Sequence, residues 1–297
     1  MSAELIRRES SHHAVERAEG APTRIYLVTG FLTELPLPRE EGEGQLARLQ
    51  RLLQQLQGEH DLLQTVDGRG WERQLRCALP AGCALPVELF PWHSRRLIEL
   101  LPALAPLIQH LIKRRLRPPK NLPELLSLLR ALGDAAQGLR ELWGAAREAA
   151  EAGAVKLAHQ LEERHPPDER LILVGHSLGA RLALRAATLL APRPLSLLAL
   201  APAIREAELD QAALSQATQQ LEIAYSERDL ILRWLYLLAE LRVPSDLLAP
   251  PRGALGFSGP RAGSPLIPLN SAPLGHFSYL PALPELLPRS QLYTLLA

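Results

Sequence analysis

Residues 171–190 read LILVGHSLGARLALRAATLL. The first five are apolar or glycine with no polar face, the pattern of a strand buried on both sides in a parallel sheet. The last twelve, from Gly179, are rich in Ala and Leu at helical spacing. Between the two lies Gly175-His176-Ser177-Leu178-Gly179, a Gly-x-Ser-x-Gly pentapeptide at a strand-to-helix turn. A chain that turns this sharply holds the turn residue in strained geometry, its side chain lifted above the sheet edge. Gly175 and Gly179 stand where a Cβ would collide across the turn. Ala180 and Ala183 allow the helix to lie close on the strand, and the helix N-terminus favours negative charge near Ser177.

Outward from this segment, the spacing predicts further strands at 24–29, 87–90, 195–200, 221–225 and 266–269. It predicts helices at 46–56, 179–190, 206–220, 230–241 and 284–296. Strand and helix alternate, which makes the chain α/β with a mostly parallel central sheet flanked by helices. Residues 1–20 are a polar tail without the apolar core of a secretory signal. Residues 21–95 are the first part of the core and 157–297 the second, with 96–156 a leucine-rich helical insert interrupted by prolines.

A formal net charge of +1 gives no global reason to expect nucleic acid as a partner. Cys77 and Cys83 carry no metal-ligand spacing; they read as ordinary thiols, with a small disulfide loop as the alternative. No cofactor or metal is expected. No window is continuously apolar for the roughly 20 residues a spanning helix needs, so the chain reads as cytoplasmic.

A serine hydroxyl is a weak nucleophile and needs a base oriented by a third group. In a strand-turn-helix setting of this kind the partners follow the serine in the order acid, then histidine. His276 is the only histidine after Ser177. It lies in a loop beyond the last predicted strand, from which it can reach back over the sheet. The acid is expected at Asp229 in YSERDLIL, where a carboxylate can cap the following helix and still face the histidine. Glu227 is the reserve. The oxyanion of an acyl-transfer intermediate needs two donors. The backbone N–H of Leu178 is one, and that of Phe31, after the first strand, is assigned as the other on topology.

Several of these segments resemble one family. Between Glu141 and Leu190 the chain is similar to the α/β hydrolases of the transmembrane-and-coiled-coil-domain family, through Arg147, Ala152, Gly153 and Gly175 to Arg181. The likeness continues at Tyr225-Ser226-Glu227-Arg228-Asp229, at Ile231-Leu232-Arg233 with Tyr236, and at Gly275-His276 with Tyr279. In the first half it is loose, around Gly30-Phe31-Leu32. The resemblance implies an α/β-hydrolase fold with a helical cap, the triad Ser177, Asp229 and His276, and an esterase- or lipase-like activity. Eukaryotic members of that family carry membrane helices before the elbow, and this chain has no adequate span there.

The expectation is therefore a serine hydrolase of carboxylic esters, acting on a small-molecule or lipid ester. A thioesterase or peptidase would share the acyl-enzyme chemistry. A non-catalytic scaffold or membrane-binding module is the alternative from another class, because fold does not dictate function. Within the insert, Leu101, Leu104 and Ile108 share an apolar face and are assigned to an acyl pocket. The basic cluster ending at Lys120 gives residues 96–120 a second reading, peripheral contact with an anionic membrane. A helical cap packed on the core is preferred. Trp92 and Trp143 flank the insert as packing residues. Arg181 and Arg185 are read as solvated helix charges or ion-pair partners.

Overall fold

The computed structural model describes residues 23–30, 69–83, 85–92, 122–190, 193, 195–240 and 253–296. Six strands form one sheet: β1 (Thr23–Val28), β2 (Val87–Leu89), β3 (Arg170–His176), β4 (Leu195–Leu200), β5 (Thr218–Tyr225) and β6 (Ile267–Asn270). Their order is β2-β1-β3-β4-β5-β6, and every neighbouring pair is parallel. The α/β class expected from the alternating pattern is present.

The central strands β3 and β4 lack a polar face because both of their faces are covered. Alternation of side chains sorts each apolar run into two separate cores. Ile25, Leu27, Ile172, Val174, Leu198 and Leu200 belong to one, with Trp71, Tyr279 and Leu283. Tyr26, Val28, Leu171, Leu173, Leu197 and Ala199 belong to the other, with Ala154, Leu157 and Ala183. All six residues of β4 are buried, as its central place in the sheet requires.

The first core is closed by α1 (Arg69–Ala78), and the second by α2 (Leu122–Arg164) and α3 (Leu178–Leu189). Helix α2 packs on α3 and joins the second core through Ala150, Ala154, Leu157, Ala158 and Leu161, the alanines allowing close approach. It ends where Arg193 donates to the carbonyls of Leu161 (2.8 Å) and His165 (2.6 Å), acceptors left over at a helix C-terminus. Helix α2 runs through residue 156 without a break, so the boundary expected there falls inside an element. The expected helix at 46–56 and the 96–120 segment lie outside the described residues.

Two expected helices are shorter than their patterns. The 206–220 stretch is a 3-10 turn (Glu206–Glu208) followed by α4 (Gln211–Ala217), with Thr218 already in β5. Asp210 causes the restart, since its side chain accepts the N–H of Ala213 (3.0 Å). The 284–296 stretch is the end of α5 (Tyr279–Leu286), a 3-10 turn at Leu287–Arg289 and α6 (Leu292–Leu296). Here Pro288 enters the 3-10 turn, and buried Glu222 of β5 accepts the backbone N–H groups of Gln291 and Leu292. The 230–241 stretch begins as a π-helical turn, Ile231–Tyr236, and becomes α-helical at Leu237–Glu240.

Strand order positions the site. From β1 the chain crosses to β2 on one side and later returns to β3 on the other. The strand order therefore reverses at the carboxyl ends of β1 and β3, the kind of position at which ligands of open parallel sheets bind. Ser177 follows β3 directly at this point, and Gly30 lies just beyond β1.

Candidate active site

Ser177 has φ 55° and ψ −120°, a left-handed conformation that costs a non-glycine residue about 1–3 kcal/mol. The surroundings hold it there. Its N–H donates to the Leu200 carbonyl (2.9 Å), and its own carbonyl accepts from Arg181 (3.1 Å) and Ala203 (3.2 Å). A Cβ on Gly175 would fall 2.6 Å from Cα of Ala180, and one on Gly179 would strike the carbonyl oxygens of Val28 and Thr29. Both glycines are therefore there for backbone contact: one inside the turn, the other where α3 touches the end of β1.

The side chain of Ser177 meets a relay. Its Oγ lies 2.9 Å from Nε2 of His276, and His276 Nδ1 lies 2.7 Å from Oδ2 of Asp229. All three residues are buried, Asp229 fully. Asp229 divides its two oxygens, with Oδ1 accepting the N–H of Leu232 (2.9 Å) at the start of the π-helical turn. Capping and contact with the histidine thus coexist in one carboxylate. Glu227, two residues earlier, is exposed.

The loop that carries His276 is fixed from below. Ser271 Oγ donates to the Tyr225 carbonyl (2.7 Å), so the Tyr279 hydroxyl, 2.6 Å away, is the donor to Ser271. Burial, followed by the nearby Asp229 charge, pushes the Tyr279 phenol pKa up and keeps it protonated.

Leu178 opens α3, and its N–H belongs to the first turn, whose donors lack helical partners. Phe31 lies outside the described residues, as do Leu101, Leu104 and Ile108. Its neighbour Gly30 is in place against the elbow, where a Cβ would fall 2.8 Å from that of Ser177. Trp92 holds the same loop by donating from Nε1 to the Thr29 carbonyl (2.8 Å). It is therefore a hydrogen-bonding residue as well as a packing one. Trp143 likewise donates to Glu240.

Two features stand out beside the relay. Of the two readings given for Arg181 and Arg185, ion-pair partner is the one observed, and Arg181 is 2% exposed. Its Nε donates to Glu151 of α2 (3.0 Å) and its Nη2 to Glu208 (2.9 Å). Glu208 also accepts from the Tyr236 hydroxyl (3.2 Å), so charge links the elbow helix to the turn that begins at Asp229. Burial alone would raise the Glu208 pKa, but Arg181 and Arg205 override it and hold the carboxyl at about 2. The second feature is His176. Its ring is buried against Trp71 (4.9 Å), His276 (5.0 Å) and Tyr279 (5.5 Å). By strict geometry neither ring nitrogen is hydrogen-bonded among the described residues, although the His276 backbone lies close enough to favour the protonated ring. Burial, then the neighbouring His276, hold its pKa well below the usual histidine range, so the ring is neutral. Its position inside the pentapeptide was the one available signal.

Comparison with protein-family models, with curated proteins and with solved structures finds no match to this chain. The reading of the site therefore rests on its own geometry. Among the described residues no group of His, Cys, Asp and Glu is arranged to hold a metal ion. Cys77 and Cys83 are free thiols. No helix of the described residues is long and apolar enough to cross a membrane.

Proposed function

We propose that this protein is a serine hydrolase of carboxylic esters with an α/β-hydrolase fold, and that Ser177, His276 and Asp229 are its triad. The observation that carries the reading is the unbroken relay from Ser177 Oγ through His276 to Asp229, at 2.9 and 2.7 Å. It sits where the strand order reverses. In the proposed reaction His276 Nε2 takes the Ser177 proton as Oγ attacks the ester carbonyl. Asp229 keeps the His276 N–H at Nδ1 and stabilises the imidazolium. The Leu178 N–H, with a donor from the loop after β1, receives the oxyanion. His276 then protonates the departing alkoxide, and water releases the acyl group by the reverse sequence.

A strained serine and a buried, desolvated acid–base pair are costly to maintain, which supports a catalytic use over a scaffold. The test is fluorophosphonate labelling of the full chain, with turnover of nitrophenyl esters of graded acyl length. Label on Ser177, its loss in Ser177→Ala and turnover of at least the short esters are the expected results. An unlabelled Ser177 in folded protein would favour the scaffold reading.

A further inference from the structure

The short helix Leu255–Ser258 meets the turns that carry both ends of the relay, and it does so through Gly256. The backbone of Gly256 is helical and not left-handed, so its conformation does not call for glycine. The close approach of its neighbours does. A Cβ there would strike the carbonyl carbon of Ala201 and fall 2.6 Å from both Ala201 Cα and Leu232 Cδ1. Ala201 belongs to the nucleophile. Ser177 donates its N–H to Leu200 and accepts at its carbonyl from Ala203, so residues 200–203 bracket it. Inside that bracket Ala201 has φ 44°, and among the described residues it and Ser177 are the two non-glycine residues of positive φ. Leu232 belongs to the acid, its N–H bound to Asp229 Oδ1. The Gly256 backbone joins the same two turns. Its N–H donates to Pro202 (3.0 Å), and its carbonyl accepts from Ser226 (3.0 Å), whose own carbonyl accepts from Asp229 (2.9 Å).

We propose that Gly256 is a positioning residue for the reacting centre, its missing side chain setting the spacing between the turn of Ser177 and the turn of Asp229. The inference rests on the reading of these two residues and His276 as the triad. His276 reaches both from a third loop, held on Tyr225 through Ser271. It spans 2.9 Å to the serine and 2.7 Å to the aspartate, and it cannot follow both if the two turns are forced apart. The Ala201 wall is backbone in a strained conformation and yields poorly. The Leu232 wall is the tip of a side chain and yields more readily. A misplacement of about 1 Å at a reacting group costs on the order of 10²-fold in turnover, even when its cause lies outside the chemistry.

The experiment measures kcat and KM on a short activated ester, with Tm, for the full-length wild type, G256A, G256A/L232V and G153A. In G153A the added Cβ meets Leu182 and neither turn. Overpacking should lower Tm in G256A and G153A alike. Only G256A should lose kcat, on the order of 10²-fold, with KM changed less than about twofold. L232V removes an atom that the new Cβ would strike, so the double variant should regain about tenfold in kcat while its Tm stays below wild type. A purely structural role for Gly256 gives no such return of turnover without stability. Wild-type kcat in folded G256A would overturn the proposal, as would an equal kcat loss in G153A or a double variant no faster than G256A. Should G256A not fold, the double variant is compared with L232V alone. A kcat about tenfold lower then supports the proposal, and an equal one overturns it. Absence of fluorophosphonate label on wild-type Ser177 would overturn the underlying function, and this inference with it. A labelled wild type with a fully active G256A would overturn this inference alone.

Discussion

Asp229 offers one oxygen to His276 and the other to the N–H of Leu232, at 2.7 and 2.9 Å. The same carboxylate orients the histidine and begins the helical turn behind it. Asp229→Asn removes the charge that stabilises an imidazolium and presents an NH2 where an acceptor is needed. Its kcat for a nitrophenyl ester should fall by roughly 10³–10⁴-fold, and the weakened cap should lower stability by about 1 kcal/mol. Glu227→Gln, at an exposed site, should stay within about twofold of wild type. Steady-state kinetics on the two variants tests the assignment, and the opposite ranking would move the acid to Glu227.

Glu208 makes stability depend on acid. Its folded pKa of about 2 lies below the ordinary carboxylate value of 4.5, so the folded state binds fewer protons than the unfolded one. Its stabilisation is complete above the unfolded value and is lost as pH falls toward 2. Glu208→Gln should cost on the order of 2 kcal/mol at neutral pH, discounted for partial solvent screening. It should also flatten the fall of Tm below about pH 5. A variant whose acid limb runs parallel to wild type would show that Glu208 is not the titrating group.

Two glycines of α2 should respond in opposite directions. Nothing lies within 4 Å of a Cβ built on Gly144, whereas one on Gly153 would fall 2.5 Å from Cδ1 of buried Leu182. Gly144→Ala should stabilise by up to about 1 kcal/mol through helix propensity alone. Gly153→Ala gains the same propensity but displaces the buried Leu182 side chain into a packed core, for a net loss of about 1 kcal/mol. Urea unfolding of both variants checks the contrast, and equal signs would mean that Gly153 is not a packing site.

Tyr279→Phe removes the donor that braces Ser271 below the His276 loop. The buried hydrogen bond is worth about 1 kcal/mol, so Tm should drop by a few degrees. The ring stays in place against His176, and kcat should fall by less than about tenfold. A kcat loss as large as that of Asp229→Asn would mean that Tyr279 itself takes part in proton transfer.

The elbow was legible from 171–190 alone because its cause is local: a strand becomes a helix across one residue, and backbone crowding admits glycine on both sides. The strands were legible too, since burial on both faces leaves continuous apolar runs. His276 followed from elimination, being the sole histidine after Ser177. Tertiary structure decided what depends on distant segments meeting. It turned Asp229 inward onto His276 and left Glu227 exposed, because chain path and not residue type determines which carboxylate faces the interior. It set the strand order, with its reversal at β1 and β3, which no local pattern encodes. It also buried Arg181 between Glu151 and Glu208 and enclosed His176 among three rings. A charged or polar side chain on a helix face or strand end reads as solvated until the elements that cover it are brought together.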